Sequence, residues 1–152
     1  MTRNNTEILL KELSTRMPYG LKVKCCDCDD GYVFTFDEKH MGVGALYTDY
    51  YRNPLESPNI ILSGCYYGDD IKPYLYPLSS MTKEQCEEFR QVSGLNTNLD
   101  SIRHGQVSLI GDIAIDRLCD AIDWFNKNHF DYRGLIPMGL ALDATGLDIY
   151  NR

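Results

Sequence analysis

The chain has 152 residues, 43% of them hydrophobic, with 11 Tyr, 5 Phe and 1 Trp, which is enough for one domain with a buried core and too apolar for a disordered segment. Acidic residues outnumber basic ones 22 to 15, a formal net charge of −7 spread along the sequence; such a surface repels a phosphate backbone, and the densest basic group, Arg16, Lys22 and Lys24, is too small for a binding stripe, so nucleic acid is disfavoured as a partner. No run approaches the ~20 apolar residues that span a bilayer, and "MTRNNTEILLKEL" has no apolar signal core, so the expectation is a single domain over 1–152, cytoplasmic and without a membrane partner.

In chain order, Ile8, Leu9, Leu13 and Met17 recur at three- and four-residue steps and predict a helix over 6–17. Asn5 or Thr6 is the expected cap, and Pro18 and Gly20 the expected stop. A β-rich region over 20–76 follows. "LKVKCCDC" and "YVFTF" alternate about Asp30-Gly31, a two-residue hairpin signal that would set Cys25 opposite Phe36 and Cys28 opposite Val33. Further strands are expected at Gly42 to Tyr50 and Asn59 to Tyr67. "IKPYLYPL" reads as an edge strand or an exit, because Pro73 and Pro77 lack the amide that a ladder needs. These strands predict a small antiparallel sheet or an SH3-like, partly open barrel.

Residues 80–152 read as helical. Thr82 and Gln85 have capping-box spacing, Glu84 suits the helix dipole, Gly94 is the stop, and Cys86, Phe89 and Val92 form a thin stripe of a surface-laid helix. Leu95 to Gly111 reads as a loop with one short strand at "VSLI". A helix over Asp112 to Asn128, capped by Asp112, is expected to bury Ile115, Leu118, Cys119, Ile122 and Phe125. "GLIPMGLALDATGLDIY" predicts a short helix and an extended tail. The fold class is therefore α+β, with an N-terminal helix, a small sheet and C-terminal helices packed on it.

Six cysteines, at 25, 26, 28, 65, 86 and 119, are expected to be reduced thiols. Cys25-x-x-Cys28 has metal or redox spacing, but on a strand the two side chains take opposite faces and no second close pair completes a zinc site. Asp27 to Asp30 with Asp37 and Glu38 lacks the spacing of a calcium loop. Gly42-x-Gly44 lacks the third glycine and the lysine of a phosphate cradle. No metal and no cofactor are expected. The most concentrated chemistry is "NHFDYRGL", Asn128 to Leu135, where His129, Asp131 and Arg133 could supply a base, an orienting carboxylate and an anion-binding guanidinium. The competing reading is mechanical: His129 closes a helix, Asp131 and Arg133 pair or bond stray backbone groups, and Phe130 and Leu135 fasten the turn to the core.

Three stretches, "RMPYGLKVK" (Arg16 to Lys24), "IKPYLYPLSSMTKEQ" (Ile71 to Gln85) and "DWFNKNHFDYRGLIPMGLALDATGLDIY" (Asp123 to Tyr150), together resemble a family of small proteins encoded by gut bacteria and their phages or other mobile elements. Met17 stands where that family usually has leucine. The resemblance implies a setting, the bacterial cytoplasm or a mobile element, and no catalytic mechanism. The expectation is a non-enzymatic protein-binding or adaptor module, with Tyr50, Tyr51, Tyr66, Tyr67 and Tyr74 as candidate contact residues, since tyrosine gives large contact area at low entropic cost. The alternatives are an accessory protein that inhibits a host defence by masking a protein or sequestering a small ligand, and an enzyme using His129, Asp131 and Arg133.

Overall fold

The structure, a computed structural model, describes residues 3–25, 33–36, 71–107 and 111–150. The expected strands at 42–50 and 59–67, the Asp30-Gly31 turn, the "VSLI" strand, the Asp and Gly motifs between 27 and 44, and Tyr50, Tyr51, Tyr66 and Tyr67 lie outside the described residues.

The fold is α+β, with helices around a small, open, mixed sheet. Helix α1 spans Arg3–Arg16. It starts before the expected cap, so Asn5 and Thr6 lie inside its first turns, where an amide has no helical partner to lose. A 3-10 turn, Met17–Tyr19, closes on Gly20, whose φ of 67° is left-handed and suits glycine. Strands β1 (Leu21–Cys25) and β2 (Val33–Phe36) pair antiparallel, with Leu21 opposite Phe36 and Lys24 opposite Val33. That register is four residues from the expected hairpin. On the β2 side Leu21, not Cys25, takes the place opposite Phe36; on its other side Cys25 pairs with Ile71 of the next strand. A shift by an even number keeps every side chain on its predicted face, so the apolar alternation could not detect it.

Strand β3 (Ile71–Pro77) is the centre of the sheet, not its edge. It pairs antiparallel with β1 and parallel with two short strands, β4 (Phe130–Asp131) and β5 (Leu142–Asp143). Prolines 73 and 77 are accommodated because the ladders are brief: β1 registers with residues 71–73, and β4 and β5 with two residues each. The parallel pairings make the sheet mixed, where sequence alternation predicted an antiparallel one, and no barrel closes among the described residues.

Alternation along β3 sends its side chains to two cores. Leu75 packs with Leu9, Leu13, Leu21, Val23, Leu135 and Leu140 beneath α1. Tyr74 and Tyr76 pack on the other side with Met81, Phe89, Trp124 and Phe130. That second core is aromatic. Trp124 stacks on Phe130 at 5.7 Å and meets Phe89 edge-on at 5.3 Å, while Phe125 lies 4.9 Å from Phe89.

The helices that supply those rings are α2 (Lys83–Ser93) and α4 (Ile115–Lys127). Helix α2 has the expected capping box: Thr82 accepts from the Gln85 amide, and Gln85 accepts from the Thr82 amide. Gly94 ends it in the left-handed region. Between them, α3 (Leu99–Arg103) occupies a stretch expected to be a loop. Asn98 caps it by accepting from the Ser101 amide at 2.7 Å, and Ile102 is its buried anchor. Leu99 and Ile102 form a single i, i+3 pair, too short a pattern in a five-residue helix to read as periodicity.

Helix α4 differs from expectation in two ways. It begins after Ala114, with no side-chain cap; Asp112 is not the cap, and Asp116 instead accepts from the Arg117 amide. Its buried face carries Ala121, Trp124 and Phe125. Of the five residues expected inside, only Phe125 is buried: Ile115, Leu118, Cys119 and Ile122 are exposed. The helix has two apolar stripes, and the aromatic one wins because burying Trp and Phe removes more area from water. Val92 on α2, also expected inside, is exposed. The "GLIPMGLALD" segment forms consecutive turns and β5 rather than a helix, as three glycines and a proline between 134 and 146 favour.

Phe89 is fully buried and touches two aromatic rings, whereas Val92 is 46% exposed. Phe89→Ala should lose about 3–5 kcal/mol of unfolding free energy. Val92→Ala should stay within about 0.5 kcal/mol. Urea titration followed by tryptophan fluorescence measures both, and equal losses would contradict the packing described.

Candidate functional site

The His129–Arg133 segment begins where α4 ends. Asn128 closes the helix, and its amide bonds the Trp124 carbonyl at 3.0 Å. His129 then takes φ 59°, the one non-glycine residue with positive φ among those described. That conformation turns the chain into β4, with the His129 carbonyl accepting from the Tyr76 amide at 2.8 Å. A left-handed histidine costs about 1–2 kcal/mol relative to glycine. The ring is buried and stacks on Tyr150 at 3.8 Å between centroids. Tyr150 is itself anchored: its hydroxyl donates to the Tyr74 carbonyl at 2.6 Å and accepts from the Lys22 amide at 2.9 Å.

Asp131 is buried, and both of its carboxylate oxygens are engaged. Oδ1 accepts from the Leu135 amide and Oδ2 from the Ile136 amide, each at 2.8 Å. The carboxylate thereby organises the tight turn that follows, where Gly134 has φ 76°. Arg133 points elsewhere. Its Nε ion-pairs with Glu12 on α1, and its guanidinium lies 5.4 Å from the Tyr132 ring. The three candidate residues thus address three different neighbours. His129 faces Tyr150, Asp131 faces backbone amides, and Arg133 faces α1.

The most engaged charged group was not anticipated. Glu12 and Arg16 are both fully buried on the inner face of α1. Arg16 Nε bonds Glu12 Oε2 at 2.8 Å, and Arg16 Nη2 bonds the Phe130 carbonyl at 2.6 Å. The Arg16 guanidinium also lies 5.1 Å from the Tyr132 ring, so two guanidinium groups flank one tyrosine. Tyr132 donates to Asn126 Oδ1 at 3.1 Å. One carboxylate serves two arginines, and Arg16 Nη1 is buried without a hydrogen-bond partner among the described residues. The signal was available in sequence: Glu12 and Arg16 sit four residues apart, within the stripe of Leu9 and Leu13.

Asp131 and Arg133 also line an open groove of about 470 Å³ with Arg103, His104, Leu78 and Pro137; His129 does not reach it. Tyr74, the one described tyrosine among the five candidate contact residues, is 9% exposed and packs in the aromatic core. The outer face of α4 differs in character. Ile115 is 78% exposed, with Leu118 and Ile122 near 40% on the same stripe. Exposed Asp116, Asp120 and Asp123 run along one flank of it. Among the described residues no cluster of His, Cys, Asp and Glu could hold a metal ion, and no helix is long and apolar enough to cross a membrane. Burial pushes the Cys86 thiol above its ordinary range, while Cys119 is exposed. No protein-family model, no curated protein and no solved structure matches the chain.

Two measurements test this geometry. Glu12→Gln leaves a buried guanidinium without its counter-charge and should lose about 3–5 kcal/mol. Arg133→Gln, at a side chain 44% exposed, should lose about 1 kcal/mol or less by the same urea titration. Under native conditions iodoacetamide should label Cys119 well before Cys86, read by peptide mass spectrometry, because Cys86 is both buried and held as the thiol. Equal labelling rates would show that α2 does not stay packed over Cys86.

Proposed function

We propose that this chain is a small protein-binding module that docks a partner through the outer face of α4. The observation that carries the reading is the exposed Ile115, Leu118 and Ile122 stripe, on a helix whose neighbouring face is already committed to the aromatic core. An isolated exposed leucine is ordinary, but three large aliphatic side chains on adjacent turns of one helix form a patch of the kind that binding sites use. The occupant that fits is an amphipathic segment of another protein, with apolar anchors flanked by Lys or Arg. Asp116, Asp120 and Asp123 give the stripe an acidic margin, which favours a basic partner and opposes a second copy of this acidic chain.

Catalysis is the weaker reading on the same geometry. His129 and Asp131 are buried, and the Asp131 carboxylate is spent on two backbone amides. The motifs at Arg16 to Lys24, Ile71 to Gln85 and Asp123 to Tyr150 supply the proposed setting, the cytoplasm of a gut bacterium or of a phage-infected host. A phage or mobile-element accessory protein that masks a host protein would use the same face.

Affinity capture from host lysate with wild type, Ile115→Asp and Asp120→Lys tests the proposal. Wild type should recover one specific protein. Ile115→Asp should weaken its binding by about 2 kcal/mol or more. Asp120→Lys should slow association and reduce its salt dependence. Both variants should remain folded, since both positions are solvent-exposed. Recovery indifferent to both substitutions, or nothing specific recovered at micromolar bait, removes the reading.

A further inference from the structure

The groove beside Arg133 runs against the charge of the whole molecule. The chain carries −7, yet two guanidinium groups and an imidazole, Arg103, Arg133 and His104, share the groove's wall. The carboxylate in that wall, Asp131, turns both of its oxygens to backbone amides. Behind it, Glu12 is divided between Arg16 and Arg133. Counting Arg16, Arg103 and Arg133 against Glu12 and Asp131, one positive charge remains in excess before His104 is considered.

The donors are also fixed by the fold. Arg103 Nε and Nη2 both bond the Met81 carbonyl, at 3.0 and 2.6 Å, which orients the guanidinium and leaves Nη1 uncommitted. Arg133 is held through Nε by Glu12 and lies against the Tyr132 ring, with its side chain 44% exposed in the groove wall. His104 Nδ1 lies 2.7 Å from the Asp100 carbonyl, so Nδ1 carries a proton and Nε2 is the free edge. Leu78 and Pro137 supply an apolar wall beside these groups.

We propose that this groove binds a small organic phosphate, with the phosphoryl head between Arg103 and Arg133 and the organic body against Leu78 and Pro137. Two guanidinium groups reach the groove from separate elements, α3 and the turn after β4; their two positive charges match the dianion of a phosphate monoester better than the single charge of a carboxylate. The site is independent of the α4 face and carries no catalytic step.

The probe is phenyl phosphate, titrated into the ¹⁵N-labelled full chain and followed by amide chemical shifts. Gly105 and Gly134, which flank the groove, should shift and saturate. Arg103→Gln and Arg133→Gln should each weaken binding about tenfold, as loss of one charged hydrogen bond implies. Arg90→Gln, on the exposed side of α2, should leave it unchanged. Inorganic phosphate should bind the same residues more weakly, and benzoate more weakly than phenyl phosphate. Shifts that stay linear with concentration, benzoate binding as tightly as phenyl phosphate, or equal weakening by Arg90→Gln would each overturn the proposal. The wild-type titration decides the matter even where a variant fails to fold.

Discussion

The buried pair of Glu12 and Arg16, joined at its edge by the half-exposed Arg133, is the constraint on which the rest of the structure depends. It joins α1, the first element of the chain, to the β4 segment more than a hundred residues later, through the Arg16 bond to the Phe130 carbonyl and the Arg133 pair with Glu12. Phe130 is at the same point the ring on which Trp124 stacks. A polar clamp on its carbonyl and an aromatic cluster on its ring therefore fix the same residue, Phe130. Desolvating these charges costs so much that the net gain in stability is small; what the arrangement adds is selection. A slipped β4 would strand Arg16 in the core without its carbonyl, which is worse than losing an apolar contact.

The clamp also explains how a two-residue strand can exist. Two ladder positions on β3 cannot hold a chain against its conformational entropy. The flanking residues supply the remainder: His129 accepts from Tyr76, Asp131 ties the following turn through two amides, and Tyr150 clips β1 to β3 while stacking on His129. The left-handed backbone at His129 persists because each neighbour over-determines it. Chemical capability and mechanical use thus converge on one segment. The carboxylate spends both of its oxygens on backbone amides, and the imidazole is buried in a stack on Tyr150.

Local chemistry was legible in the sequence; long-range pairing was not. The Thr82–Gln85 box, the Gly94 stop and the α1 stripe depend on residues within four positions of one another, and each is found as expected. The centrality of β3 depends on β4 and β5, whose two residues carry no alternation at all. The hairpin register escaped because a four-residue slip preserves the period of two. On α4 the error was one of ranking: Ile115–Leu118–Ile122 and Ala121–Trp124–Phe125 are both proper helical stripes, and only the presence of Phe89 and Phe130 decides which is buried.

That misassigned stripe is informative in itself. A helix that needs only one apolar face to fold gains nothing in stability from a second, and an exposed isoleucine at 78% carries a solubility cost. The aspartates along one margin offset that cost with surface charge, without filling the stripe itself. The exposed apolar stripe thus lies between an acidic margin and the buried aromatic face of the same helix. The cationic groove lies on separate elements, α3 and the turn after β4, and shares no residue with that face. The fold thus separates an acidic, apolar surface from a basic recess, with the buried arginine clamp holding the recess in shape.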